Sequence, residues 1–252
     1  MGKLLSVSLI LISLLALISC TGGKNTETAG SDISKQAGID VDDDIFNAID
    51  TFLLNSFRDQ KIILFDSFDN ISEEFNRVVL FVALFYGTIY EYPGENLTLD
   101  MIKENIEAVY GAEILSKLDY TAMRADYDPV KDEYERWDYI APGNSFSFVY
   151  HSIKNISGNK YEAVISYIDG STGVTTFDAK GNRFSQDEVN EILYEPYDVD
   201  YFSNDYRNII YIKLKNEILS NPDKYETVKI TLELTDDHIR LLKAENNNNI
   251  SG

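Results

Sequence analysis

The sequence predicts an α+β fold, N-terminal helices packed on a C-terminal antiparallel sheet, and three observations carry that expectation. From about Asp43 to Leu118 the apolar residues recur at helical spacing. From Phe146 onward they alternate with polar residues at a period of two, as in half-buried strands. Between them, residues 119–143 form an acidic, aromatic stretch interrupted by Pro129, which argues against one continuous helix. Helices first and strands second is the order of an α+β domain, whereas alternating strand–helix units would point to a parallel sheet.

The first helix is expected from about Asp43 to Arg58, with Ile45, Phe46, Ile49, Phe52, Leu53 and Phe57 at helical spacing. Asp40, Asp42, Asp43 and Asp44 stand at its N-terminus, where carboxylates complement the helix dipole. They lack the turn glycine and alternating oxygen ligands of a calcium loop. A second helix runs from about Ser72 to Tyr90. Its run Val78 to Phe85 is nearly all apolar but too short to span a bilayer, so it reads as a central buried helix ended by Pro93-Gly94. A third starts at Thr98 or Leu99, turns Met101, Ile102, Ile106 and Val109 inward, and breaks near Gly111. Lys131 to Tyr139 is expected as a short helix.

In the strand half, Phe146, Phe148 and Tyr150 alternate with Ser147, Val149 and His151, and Tyr161, Ala163, Ile165 and Tyr167 alternate with Glu162, Val164, Ser166 and Ile168. Asn155 to Asn159 is turn chemistry, so the two runs form a hairpin. Val174 to Phe177 is a further short strand, and Ser185 to Glu188 is a capping box that starts a helix to about Leu193. Residues 206–219 read two ways: Ile210, Ile212 and Leu214 suit a strand, while Tyr206, Ile210, Leu214 and Ile218 suit a helix. The cleanest strand has Thr227, Lys229, Thr231 and Glu233 outward against Val228, Ile230, Leu232 and Leu234 inward. Asp236-Asp237 turns it into Ile239 to Leu242, and Ala244 to Gly252 reads as a tail.

The first residues carry an address. Lys3 precedes Leu4 to Ile18, an uncharged apolar run shorter than a membrane span, which is the layout of a secretory signal. Leu17-Ile18-Ser19-Cys20 resembles the lipobox of bacterial lipoproteins. That resemblance covers residues 1–20 only, and it implies cleavage before Cys20 and lipidation of its thiol with diacylglycerol, often followed by acylation of the new amine with a palmitate-type chain. Two or three buried acyl chains hold firmly where one holds marginally. Thr21 to Asp40 is small and polar, the composition of a tether. Cys20 is the one cysteine, so an intrachain disulfide is excluded and the fold relies on its core. The organisation expected is a signal over 1–19, lipidated cysteine and tether over 20–40, one α+β domain over 41–245 and a disordered tail over 246–252. The helix-then-sheet order is loosely similar to cystatin-like and NTF2-like cone folds, which would imply a curved, cone-like sheet.

Charge narrows the partners. The chain carries 22 basic and 42 acidic residues, net −20. Removal of residues 1–19 takes away only Lys3 and leaves −21. Such acidity argues against nucleic acid and against a domain lying flat on anionic lipid. A well-solvated surface is the plain reading, and capture of cationic partners or divalent metals the sharper one.

No catalytic or cofactor motif stands out, and no cofactor is expected. The histidines, His151 and His238, each fall in an expected strand, far apart and without the clustered ligands of a zinc site. No G-x-S-x-G elbow, P-loop or dinucleotide fingerprint occurs. Asp169 to Gly173 and Asp178 to Asn182 are loop-like, but Lys180 occupies a would-be calcium ligand position, so both read as turns. Asp198, Asp200, Asn204 and Asp205 begin like a calcium loop but place Phe202 at a ligand position. Trp137, Tyr139, Tyr194, Tyr197 and Tyr201 either line a sugar or peptide groove or pack under loops.

The expectation is a bacterial lipoprotein held on the cell membrane or outer membrane. Its domain would be a non-catalytic binding or assembly module for an envelope protein, peptide or glycan. The alternative is an envelope hydrolase that uses an Asp/Glu pair on glycan or peptide. Cys20→Ser tests the address: membrane fractionation should find the variant released, and labelled fatty acid should fail to attach to it. Unlabelled, soluble wild-type protein would contradict the anchor.

Overall fold

The chain is an α+β protein whose centre is a twelve-residue strand, β5 (Phe146–Ser157), turned tightly into β6 (Lys160–Asp169). The computed structural model describes residues 38–57, 60–69, 71–86, 96–122, 127–128, 130–131, 133–134, 146–171, 173–193, 204–236 and 238–248. All lie within one contact-dense unit, Ser34–Gly252. The turn is shorter than Asn155 to Asn159 suggests. Asn155–Ser157 continue the strand, and Gly158 supplies the left-handed residue at φ 55° that a two-residue reversal requires.

β7 (Val228–Leu234) pairs antiparallel with β6, and β8 (Ile239–Asn246) with β7. β1 (Ile39–Asp40) lies parallel on the outer edge of β5, so the five-stranded sheet, ordered β1-β5-β6-β7-β8, is mixed where the sequence suggested purely antiparallel pairing. Residues 38–40 are expected to end a tether, yet Ile39 is buried against β5. At the other end β8 runs on through Ala244 to Asn246. Asn247 and Asn248 then bond back to Thr227 and Tyr225, so the expected disordered tail does not begin at 246. Residues 249–252 lie outside the described residues.

Register assigns the two faces of the sheet. Phe148 opposes Tyr167, Tyr150 opposes Ile165, and Ile165 opposes Val228, so these share one face with Ala163 and Ile230. α1 (Asp43–Phe57) and α3 (Leu99–Tyr110) pack on the sheet, and α2 (Glu73–Tyr86) packs on both helices. α1 reaches that face, for Phe46 meets Tyr150 edge-to-face with ring centroids 5.1 Å apart. The helix starts are those the sequence marks. Asp42 Oδ1 accepts from Ile45 N at 2.9 Å, Ser72 Oγ from Phe75 N at 3.0 Å, and Thr98 Oγ1 from Met101 N at 3.2 Å.

The opposite face, with Val149 and Ile168, is covered by α4 (Gln186–Leu193) and α5 (Asn204–Ser220) through Val189, Ile210, Leu214 and Ile218. The helical reading of residues 206–219 therefore wins, because period-four burial of Ile210, Leu214 and Ile218 leaves Ile212 exposed. Ser185 closes the capping box on Glu188. Val174 to Phe177 forms single bridges at Thr175 and Phe177 where a strand was expected.

The expected short helix over 131–139 does not form within the described residues. β4 (Glu133–Tyr134) sits between β2 (Leu97–Thr98) and β3 (Tyr127–Asp128) in a small antiparallel sheet. Pairing beside Leu97 buries Tyr134, a gain that local helix propensity cannot offer.

Among the described residues no helix is long and apolar enough to cross a membrane. Ile230 is fully buried at the sheet centre, while Thr231 faces away. Ile230→Ala should lower stability by about 2–5 kcal/mol in denaturant unfolding, and Thr231→Ala by about 1 kcal/mol or less. Equal losses would contradict the assignment of faces.

Candidate functional site

Strand β5 breaks its own alternation twice, between Asn155 and Ser157 beside the turn and, deeper in the sheet, between Tyr150 and Ser152. Tyr150 pairs with Ile165 and Ser152 with Val164, so His151 is an extra residue in a β-bulge. Through that insertion Ile153, and not Ser152, returns to the core face, where it is fully buried. His151 and Ser152 are thereby both released to the other face. The backbone there is crowded: the Gly38 carbonyl accepts from Ile153 N at 3.0 Å, and a Cβ on Gly38 would collide with the His151 carbonyl oxygen. Only glycine permits that approach, at φ 98°.

His151 and Ser152 line a cavity of about 780 Å³. Val164, Ala179, Leu219 at the end of α5, Pro222-Asp223, Thr227, Asn247 and Asn248 complete its lining. The cavity exists because α5 ends at Ser220 and leaves this part of the sheet to loop and C-terminal residues.

A hydrogen-bond chain fixes the imidazole. The hydroxyl of fully buried Ser166 lies 2.7 Å from the Glu226 carbonyl, which can only accept, so the serine proton points there. His151 Nε2 lies 2.8 Å from the same Ser166 oxygen and must therefore be the donor. Burial lowers the pKa of His151 and favours the neutral ring. Neutral His151 is then the Nε2–H tautomer, and Nδ1 is a bare acceptor. The chain runs opposite to that of an activated serine, whose hydroxyl must give its proton to the histidine.

The other residues singled out in the sequence disperse. His238 sits in the turn just before β8, not in a strand, and borders a smaller, mostly apolar groove of about 340 Å³ with Phe52, Val109 and Leu234. Asp169 accepts from Ser171 N at 2.8 Å and pairs with Arg183 at 2.7 Å. Asp178 takes Lys180 N, Asn182 N and Asn182 Nδ2 at 2.8–2.9 Å. Both are turns tied by their own carboxylates. Asp198 and Asp200 lie outside the described residues, as do Trp137, Tyr139, Tyr194, Tyr197 and Tyr201, and Cys20. Asn204 and Asp205 open α5.

Among the described residues no three His, Cys, Asp or Glu side chains stand together as a metal site. There too, Asp50 is the carboxyl whose pKa is raised, by burial; Tyr150 donates to it at 2.7 Å and Lys215 opposes the rise. No second carboxylate acts on it, so the acid/base pair of a glycoside hydrolase is not assembled there. The sequence held one signal for the site: the apolar period of β5 slips by one residue between Tyr150 and Ile153.

Comparison with protein families, with curated proteins and with solved structures finds no match to this chain.

His151 makes stability depend on pH. Its folded pKa lies below the unfolded value of about 6.5. The stability it contributes is complete above that value and is lost as pH falls through the folded pKa. His151→Gln, which keeps a donor for Ser166, should flatten the stability profile below pH ~6.5. An unchanged slope in urea unfolding would show that the ring is not buried neutral.

Proposed function

We propose that the chain is a lipid-anchored lipoprotein of a bacterial cell membrane or outer membrane whose folded domain binds a ligand without transforming it. The observation that carries the binding reading is the His151 cavity. It has a volume of about 780 Å³ and sets the aliphatic Val164, Ala179, Leu219 and Pro222 among converging polar side chains, a concavity large enough for a small molecule. Its histidine is oriented by Ser166 as an acceptor, and the Ser166 hydroxyl gives its proton to the Glu226 carbonyl and not to the ring. Ligation of this kind needs pre-set hydrogen bonds more than a shifted acid/base pair.

The lipobox-like Leu17–Cys20 supports the anchor, and the polar stretch after it supports a tether of roughly 25 Å by coil scaling. Net acidity favours a domain standing off anionic lipid. Address and cavity together suit capture of a molecule at the membrane surface.

The test uses full-length protein purified from membranes. It is incubated with envelope extract, washed, and examined for retained small molecules by mass spectrometry, beside a glycan and peptide hydrolysis screen. A stoichiometric ligand lost from Ser152→Phe, which fills the cavity, is the expected result; circular dichroism checks that the variant is folded. Turnover abolished by changing a single Asp or Glu would overturn the reading in favour of the hydrolase.

A further inference from the structure

The groups that line the cavity differ in what they have left to offer. Asn248 is committed: its Oδ1 accepts from Thr227 N at 2.7 Å and its Nδ2 donates to the Tyr225 carbonyl at 2.8 Å. Asn247 uses only Nδ2, toward Thr227 Oγ1 at 3.4 Å, so its Oδ1 is left to accept. Asp223 is exposed and pairs with no cation among the described residues, while the adjacent Lys224 is turned to Glu217 at 3.5 Å. His151 offers Nδ1, an acceptor in the tautomer set by Ser166. Ser152 and Thr227 add hydroxyls, which can donate or accept; the remaining free polar groups are acceptors, one of them a full negative charge.

What the lining lacks among the described residues is as specific. No Lys or Arg borders it, so a carboxylate or phosphate would meet no counter-charge. No Phe, Tyr or Trp ring borders it to stack on a sugar face. Val164, Leu219 and Pro222 supply an aliphatic wall, and the chain's net charge of −20 raises the local concentration of cations.

We propose that this cavity takes a small aliphatic ammonium ion, its N–H donors received by His151 Nδ1, Asn247 Oδ1 and the Asp223 carboxylate and its methylene chain laid on Val164 and Leu219. The assignment rests on the binding reading above and names the ligand class for the same cavity.

Spermidine is the probe, titrated calorimetrically into full-length protein in detergent at physiological salt, with glucose and glutamate in parallel. ¹⁵N NMR of the histidine rings follows the same titrations. Spermidine should bind saturably at one site and move the His151 Nδ1 resonance while Nε2 stays put. Asp223→Asn, a change at an exposed position, should weaken binding about tenfold, as expected for loss of one charge-assisted hydrogen bond. Three results would overturn the ammonium assignment. One is no saturable spermidine binding. Another is spermidine binding that Asp223→Asn leaves unchanged and that does not move Nδ1, the mark of diffuse attraction to an acidic surface. The third is an Nδ1 response to glucose or glutamate in place of spermidine, which removes the ammonium class and leaves the binding module standing. The hydrolysis screen above, by contrast, tests the module itself.

Discussion

The placement of β6 between β5 and β7 is the constraint to which the other elements answer. On one face Ala163 and Ile165 of β6 lie fully buried beside Ile153 and Ile230, and a slip of one residue would turn that apolar row away from α1 and α3. The one cysteine is Cys20, so no intrachain disulfide shares the work of holding the fold. The helices are fitted to the two faces, α1 through Phe46 on Tyr150 on the side of that row and α5 through Ile210 and Leu214 on Val149 on the other. Where β5 cannot keep register with both neighbours it inserts His151. The cavity is then the direct product of a pairing constraint: two successive side chains fall on one face at the place where α5 has already ended.

Glu226 joins this sheet to the loops. Its side chain forms an ion pair with Lys61, whose ammonium lies 4.1 Å from the Phe177 ring centroid, and its amide donates to the Phe177 carbonyl at 3.1 Å. Its own carbonyl takes the Ser166 proton and so sets the direction of the chain that ends at His151. A largely buried ion pair of this kind adds little net stability against a hydrophobic replacement, but breaking one side of it is costly. Its effect here is positional, because it holds the backbone segment whose carbonyl fixes a tautomer. The acidity of the chain and this neutral, acceptor-bearing histidine favour the same partners, those that bring protons to donate and no negative charge.

Much of the architecture was legible because it depends on periods that a chain carries in itself. Phe46, Ile49 and Leu53 mark one helix face, Val228, Ile230 and Leu232 one strand face, and Ser72, Thr98 and Ser185 the helix starts, since each effect acts over a few residues. Glu133 and Tyr134, expected in a helix, lie in a strand for the complementary reason. Tyr134 is buried by a neighbour, Leu97, far away in sequence, and no local preference reports that pairing. The tail was misread likewise: asparagines suit a disordered end, yet Asn247 and Asn248 find backbone partners at Thr227 and Tyr225.

The site divides along the same line. The sequence by itself determined the α+β order, the absence of a disulfide, the acidity and a leader that resembles a lipoprotein signal, all properties of composition or of neighbours along the chain. It also carried the slipped period between Tyr150 and Ile153, which marks a bulge without saying what the bulge faces. Only the tertiary structure brought Asp223 and Asn247 from two distant segments to His151 and turned the Ser166 proton toward Glu226. Those are distances between residues tens of positions apart, and a one-dimensional pattern holds no term for them.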